Sequence, residues 1–233
     1  MSFCLLSTIK LAFQKYLTTH PRSNAKLKIL HAKISSDLRV LLGNEYLVDS
    51  LDLNKGKERK IDGRYNNKTV DITISKLNKE IVAGIAVKFV MSNYSQNSNN
   101  YFENMLGETA NIRCASIPYF QILIIPEEMP YYNKQGEITK IDRLTDSHVE
   151  KYLKLSEDDP RAYLHTPDKT LLMVLSLPPL DIVQVPNKTK YIKAYIDANI
   201  KISTKINPVF QSMVVLNDYN QFIQKVVHRI KAI

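Results

Sequence analysis

Residues 69–75 read Thr-Val-Asp-Ile-Thr-Ile-Ser, and residues 81–90 read Ile-Val-Ala-Gly-Ile-Ala-Val-Lys-Phe-Val. Both are rich in β-branched residues, and the first alternates as a half-buried strand does. Leu77-Asn78-Lys79 makes a short polar turn between them, so the pair predicts an antiparallel hairpin, its second run spanning Glu80 to Met91. Each run holds one ionisable residue in apolar company: Asp71 in the first and Lys88 near the end of the second, with sixteen residues between. Lys88, set between Val87 and Phe89, must either snorkel to water or meet an acid. An acid on one strand and a lysine on the next project to the same sheet edge when their registers match, either as parts of a catalytic site or as a plain cross-strand ion pair.

Working outward, residues 2–18 and 24–42 have helical spacing, the second through Leu27, Leu30, Ile34, Leu38 and Leu41, with Gly43 placed to stop it. Glu45 to Leu53 alternates like a strand and is followed by a basic turn, Lys55 to Lys60. After the hairpin come a polar stretch (Ser92 to Asn100), a helix from about Asn99 to Arg113, and an apolar strand, Gln121 to Ile125, ended by Pro126. Further on, Asp146 to Leu155 reads as a helix capped by Thr145, and Thr170 to Leu177 as a buried strand stopped by Pro178-Pro179. Residues 180–212 are mixed, and Asp218 to Ile233 forms a basic amphipathic helix. No repeat or linker interrupts the chain. The order predicts one α/β domain over 1–233, with a core at about 24–125 and an elaboration at about 127–233.

Lys and Arg outnumber Asp and Glu by 32 to 23, a formal charge of +9. Such an excess favours a polyanionic partner, because neutralising phosphates releases counterions. Cys4 and Cys114 show no CxxC or zinc spacing and read as reduced thiols. No apolar run reaches the ~18 residues of a membrane span, and Phe3 to Phe13 reads as a first helix rather than a leader. A soluble cytoplasmic protein is expected. His20, His31, His148, His165 and His228 form no metal or triad spacing and read as structural or surface residues. No GxSxG, P-loop or GxGxxG motif occurs, which removes the commonest hydrolase and nucleotide-binding classes.

Helix, three-stranded meander, helix, strand over residues 24–125, with Asp71 on the second strand and Ala86-Val87-Lys88 on the third, resembles the PD-(D/E)xK nuclease superfamily, which includes most type II restriction endonucleases. The resemblance implies a restriction-endonuclease-like core, a central mixed β-sheet flanked by helices. It implies Mg²⁺ as cofactor, Asp71 as a ligand, the Ala86 carbonyl as a further ligand, and Lys88 orienting water or offsetting charge on phosphate. The sequence departs from the pattern at Ala86, where the family carries its second acid. Three explanations stand: the acid has moved to the following helix, position 86 has been changed to inactivate the enzyme, or the chain is a relative without catalysis. Glu103, fifteen residues after Lys88, fits the first explanation. On a helical wheel it borders the Phe102/Leu106 face while Glu108 points further away, which favours Glu103 as catalytic and metal-binding acid.

Lys57, Arg59, Lys60 and Arg64, with Lys55 and Lys68, form either a cationic approach to Asp71 suited to phosphate contacts or an ordinary solvated charged loop. Asn93, Gln96, Asn97 and Asn100 are candidates for reading adenine edges, or belong to an ordinary polar loop. The resemblance then implies a bacterial or archaeal enzyme that cuts both strands of a short double-stranded DNA site, usually as a homodimer on a palindrome. The alternatives are a repair or junction-resolving nuclease of the same superfamily and an inactive DNA-binding relative.

Overall fold

A computed structural model describes residues 3–20, 23–53 and 56–233. Two helices lead: α1 (Leu6–Thr18) and α2 (Ala25–Leu42). Leu30, Ile34 and Leu38 give α2 its buried stripe, and Gly43, at φ +77°, ends it with its N–H on the Arg39 carbonyl. Five strands follow: β1 (Tyr46–Ser50), β2 (Arg59–Asp62), β3 (Asn67–Val70), β4 (Ile72–Lys76) and β5 (Ile81–Phe89). Then come α3 (Tyr94–Arg113), β6 (Tyr119–Pro126), β7 (Glu128–Tyr132), β8 (Ile138–Arg143), α4 (Asp146–Glu157) and β9 (Lys169–Ser176). The last elements are α5 (Lys188–Tyr195), β10 (Lys201–Ile202), β11 (Val214–Leu216) and α6 (Tyr219–Lys231).

The central sheet has seven strands in the order β1-β4-β5-β6-β9-β10, and β11 also pairs with β9. β1, β4 and β5 form an antiparallel meander, whereas β5, β6 and β9 run parallel. Every residue of β6 is buried, as expected for a parallel strand covered on both faces. Alternation sorts the side chains. Ala83, Ile85 and Val87 of β5 join Phe120, Ile122 and Ile124 of β6 in the core shared with α1, α2 and α6. The opposite face meets α3 and α4 through Leu123, Ile125, Met105, Val149 and Tyr152. The fold is thus a mixed α/β sheet between helices, and residues 25–126 have the helix, meander, helix, strand order expected from sequence.

Three local readings change. The stretch 69–75 is not one strand: β3 pairs with β2 in a separate two-stranded sheet, β4 pairs with β1 and β5, and Asp71 is the bend between them. Arg59 and Lys60, expected in a turn, lie in β2. Helix α3 begins at Tyr94, so most of the amide-rich run is helical; Tyr94 and Ser98 are buried and extend the inner stripe of Met105, Thr109 and Ile112 backwards. The β7–β8 hairpin is an addition that sequence periodicity did not reveal.

Candidate metal centre

Asp71 leaves the ladder with its carboxylate turned onto β5. Oδ2 accepts the backbone N–H of Val87 at 2.7 Å, where a continuing strand would present a main-chain carbonyl. Ile72 pairs with Ile85, so one step further sets Asp71 across from Ala86. Arg59 pairs with Val70, and one step beyond that pair sets Glu58 opposite Asp71. The break in the strand therefore delivers two carboxylates to one point.

The third member comes from α2. His31, Glu58 and Asp71 each offer a ligand atom, and these atoms lie within 4.8 Å of one another. His31 is fully buried, yet neither ring nitrogen has a hydrogen-bond partner among the described residues. A buried imidazole without partners is costly, so the position calls for an electrophile or a proton donor. Burial lowers the His31 pKa, with the Asp71 charge opposing, which favours the neutral ring that ligates metals. Burial raises the Glu58 pKa and the Asp71 charge adds to it, as between two carboxylates facing each other without a shared cation. Neither carboxylate has an ion pair among the described residues. A cation bound at ~2.0–2.3 Å from each donor would need only a small closure of this group.

Lys88 is half-buried on β5, on the same face as Ala86, and its ammonium has no hydrogen bond or ion pair among the described residues. The simplest alternative to catalysis, a cross-strand Asp71–Lys88 ion pair, is thus not found. Ala86 is buried against Ile61, Val70, Ile112 and Tyr119. The packing is close: a Cβ on neighbouring Gly84 would lie 2.9 Å from Ile61 Cδ1 and 3.0 Å from the Tyr119 ring.

Glu103 is not in the group. It is exposed, and its charge acts on Lys151. Glu108 lies one turn before Ile112, on the side of α3 that covers β2 and β3, and pairs with Lys68 at 2.6 Å. The wheel placed Glu103 by the Phe102/Leu106 edge alone, whereas the β2–β3 hairpin covers the Ile112 side and draws Glu108 to it.

Compared with known proteins, no family model, no curated protein and no solved structure matches the chain.

Of the cationic candidates, Lys57, Lys60 and Arg64 are exposed, and Lys55 lies outside the described residues. Arg59 is engaged with Asp49 at 3.3 Å and the Ser75 hydroxyl at 3.1 Å. Asn93 spends its amide on the backbone of Tyr132, donating at 2.9 Å and accepting at 3.0 Å. Gln96 accepts from the Tyr131 hydroxyl, Asn97 donates to the Asn93 carbonyl, and Asn100 is exposed. His31 and Glu58 are the residues that sequence reasoning missed. Their only sequence signal is indirect: a histidine one residue after Leu30 in the buried stripe of α2, and an acid placed against Asp71 by hairpin register. No helix among the described residues is long and apolar enough to cross a membrane.

Proposed function

We propose that the protein is a metal-dependent DNA endonuclease of the type II restriction kind, hydrolysing phosphodiesters at a specific short double-stranded site. The observation that carries this reading is the buried His31 imidazole, without a hydrogen-bond partner among the described residues, facing two carboxylates, one of which is bonded to the residue before Lys88. His31, Glu58 and Asp71 would hold a divalent cation, which supplies charge that polarises a phosphoryl oxygen. The Val87 N–H fixes the Asp71 carboxylate in one orientation. Lys88 orients the attacking water or offsets charge developing on the phosphate. Lys57, Lys60 and Arg64 contact the DNA backbone, and a symmetric homodimer matches a palindromic site.

Mg²⁺ is the cation the resemblance implies, but it prefers oxygen ligands; one imidazole donor brings Mn²⁺ into competition with it. Glu58 and His31 make good the acid missing at position 86, so neither Glu103 nor the Ala86 carbonyl is needed to complete a three-residue set. A second reading, a DNA-binding relative without catalysis, is favoured by Ala86 alone.

Supercoiled plasmid incubated with the protein and Mg²⁺ or Mn²⁺ separates the readings. Discrete fragments, abolished by EDTA, are expected. Smearing or nicking instead indicates a repair-type or junction-resolving nuclease. Intact plasmid with a mobility shift indicates binding only.

A further inference from the structure

A cavity of about 360 Å³ opens where β5 ends, lined by Phe89 to Ser92 and by residues from α2, α3, the β7–β8 hairpin and α5. Its volume lies at the lower end of the ~300–1,000 Å³ typical of small-ligand sites. Three lysines reach it from three elements, Lys26 from the first turn of α2, Lys134 from the β7–β8 turn and Lys188 from the start of α5, and no carboxylate among the described residues lines it.

The backbone segments that carry Lys134 and Lys188 are tied to each other and to the end of β5. Asn93, at the start of α3, grips the backbone of Tyr132, which fixes the hairpin against the end of β5. The hairpin turn is then tied to α5: the Lys188 N–H donates to the Gly136 carbonyl at 3.0 Å, and the Ile138 N–H donates to Pro186 at 2.8 Å. Lys134 is exposed and Lys188 half-buried, and neither side chain has an acidic partner among the described residues. Phe89 and Tyr101 add apolar surface beside this charge.

Two elements lead from the cavity towards the candidate metal centre. Phe89 follows Lys88 directly, and Lys26 lies five residues before His31 on α2, about 7.5 Å at 1.5 Å per residue.

Clustered ammonium groups beside aromatic surface are the complement of a phosphate joined to a base. We infer that this cavity binds one nucleoside monophosphate unit of the DNA strand next to the metal centre, its phosphate on Lys134 and Lys188 and its base against Phe89 and Tyr101. This deepens the nuclease reading and rests on it.

The test is calorimetric titration of the whole protein with thymidine 5′-monophosphate, without divalent metal. Binding is expected, with thymidine and inorganic phosphate each at least tenfold weaker. Lys134→Ala with Lys188→Ala should weaken it at least tenfold, as should Lys134→Glu alone, a change at an exposed position that spares the fold. Lys154→Ala, on α4 and outside the cavity, should leave it unchanged, and a short 5′-phosphorylated oligothymidylate should compete. No binding at millimolar nucleotide, unaltered binding by the lysine variants, or failure of the oligonucleotide to compete overturns the inference. Plasmid left intact while nucleotide binding and competition persist sinks the nuclease reading and keeps the cavity; cleavage without nucleotide binding does the reverse.

Discussion

The carboxylate of Asp71 accepts the backbone N–H of Val87 at 2.7 Å, one residue short of Lys88. This bond locks the bend between β3 and β4 to the strand that carries the lysine, and it separates the two roles of Asp71.

Asp71→Asn keeps an oxygen that can accept from Val87, whereas Asp71→Ala leaves that N–H without a partner. A buried unsatisfied donor costs about 1–3 kcal/mol. Urea denaturation should therefore find the Ala variant destabilised by that order and the Asn variant by less, while under the proposed function both should lose metal-dependent cleavage. Equal stability losses would mean that the bond is incidental.

His31 offers the opposite signature. Its buried ring nitrogens lack hydrogen-bond partners among the described residues, so His31→Leu removes a desolvated polar group and fills similar space. Thermal unfolding without metal should show the variant as stable as the wild type or more so, against the ~2–5 kcal/mol loss usual when a well-packed core side chain is deleted. A large drop in Tm without metal would show that the imidazole has a structural partner.

The methyl of Ala86 packs with Ile61, Val70, Ile112 and Tyr119. Ala86→Glu places a carboxylate among them with no cation to meet it, and burying an unpaired charge costs several kcal/mol. The variant should unfold at lower urea and gain no cleavage. A strong gain would identify position 86 as the truncated acid of the family pattern.

Much of the fold was legible because its central elements are regular. The run Ile81 to Val90, the apolar strand ended by Pro126 and the stripe Leu30, Ile34, Leu38 all appear where periodicity puts them. The legibility failed where one residue overrode a pattern. Thr69 to Ser75 alternates without a break, and only the capture of Val87 by Asp71 divides it. The first turns of α3 read as a loop because their inward residues are Tyr94 and Ser98 rather than aliphatics. Of the candidate metal group, Asp71 alone stands out in the sequence, against its apolar neighbours. His31 and Glu58 were hidden because they reach Asp71 only through helix packing and strand register, which leave no local spacing in the chain.

Acid stability has a separate source, Glu127 at the end of β6. Burial alone would push its pKa up, but hydrogen bonds from Ser203 at 2.6 Å and Ser176 at 2.8 Å, with Lys205 nearby, hold it below its ordinary value of 4.5. Folding therefore favours the ionised carboxylate. The stabilisation is fully present above about pH 4.5 and is lost as pH falls through the lower folded value. Midpoints of urea unfolding should fall below pH 4.5 in the wild type and fall less steeply in Glu127→Gln; parallel curves would remove Glu127 as a cause.

The most direct test of the metal centre is calorimetric titration with Mn²⁺ of the wild-type protein beside His31→Leu and Asp71→Asn. One cation per chain should bind the wild type, more tightly than Mg²⁺ does, and both variants should lose at least tenfold in affinity. No saturable Mn²⁺ binding by the wild type, or binding that both substitutions leave unchanged, would contradict a metal centre built from His31, Glu58 and Asp71.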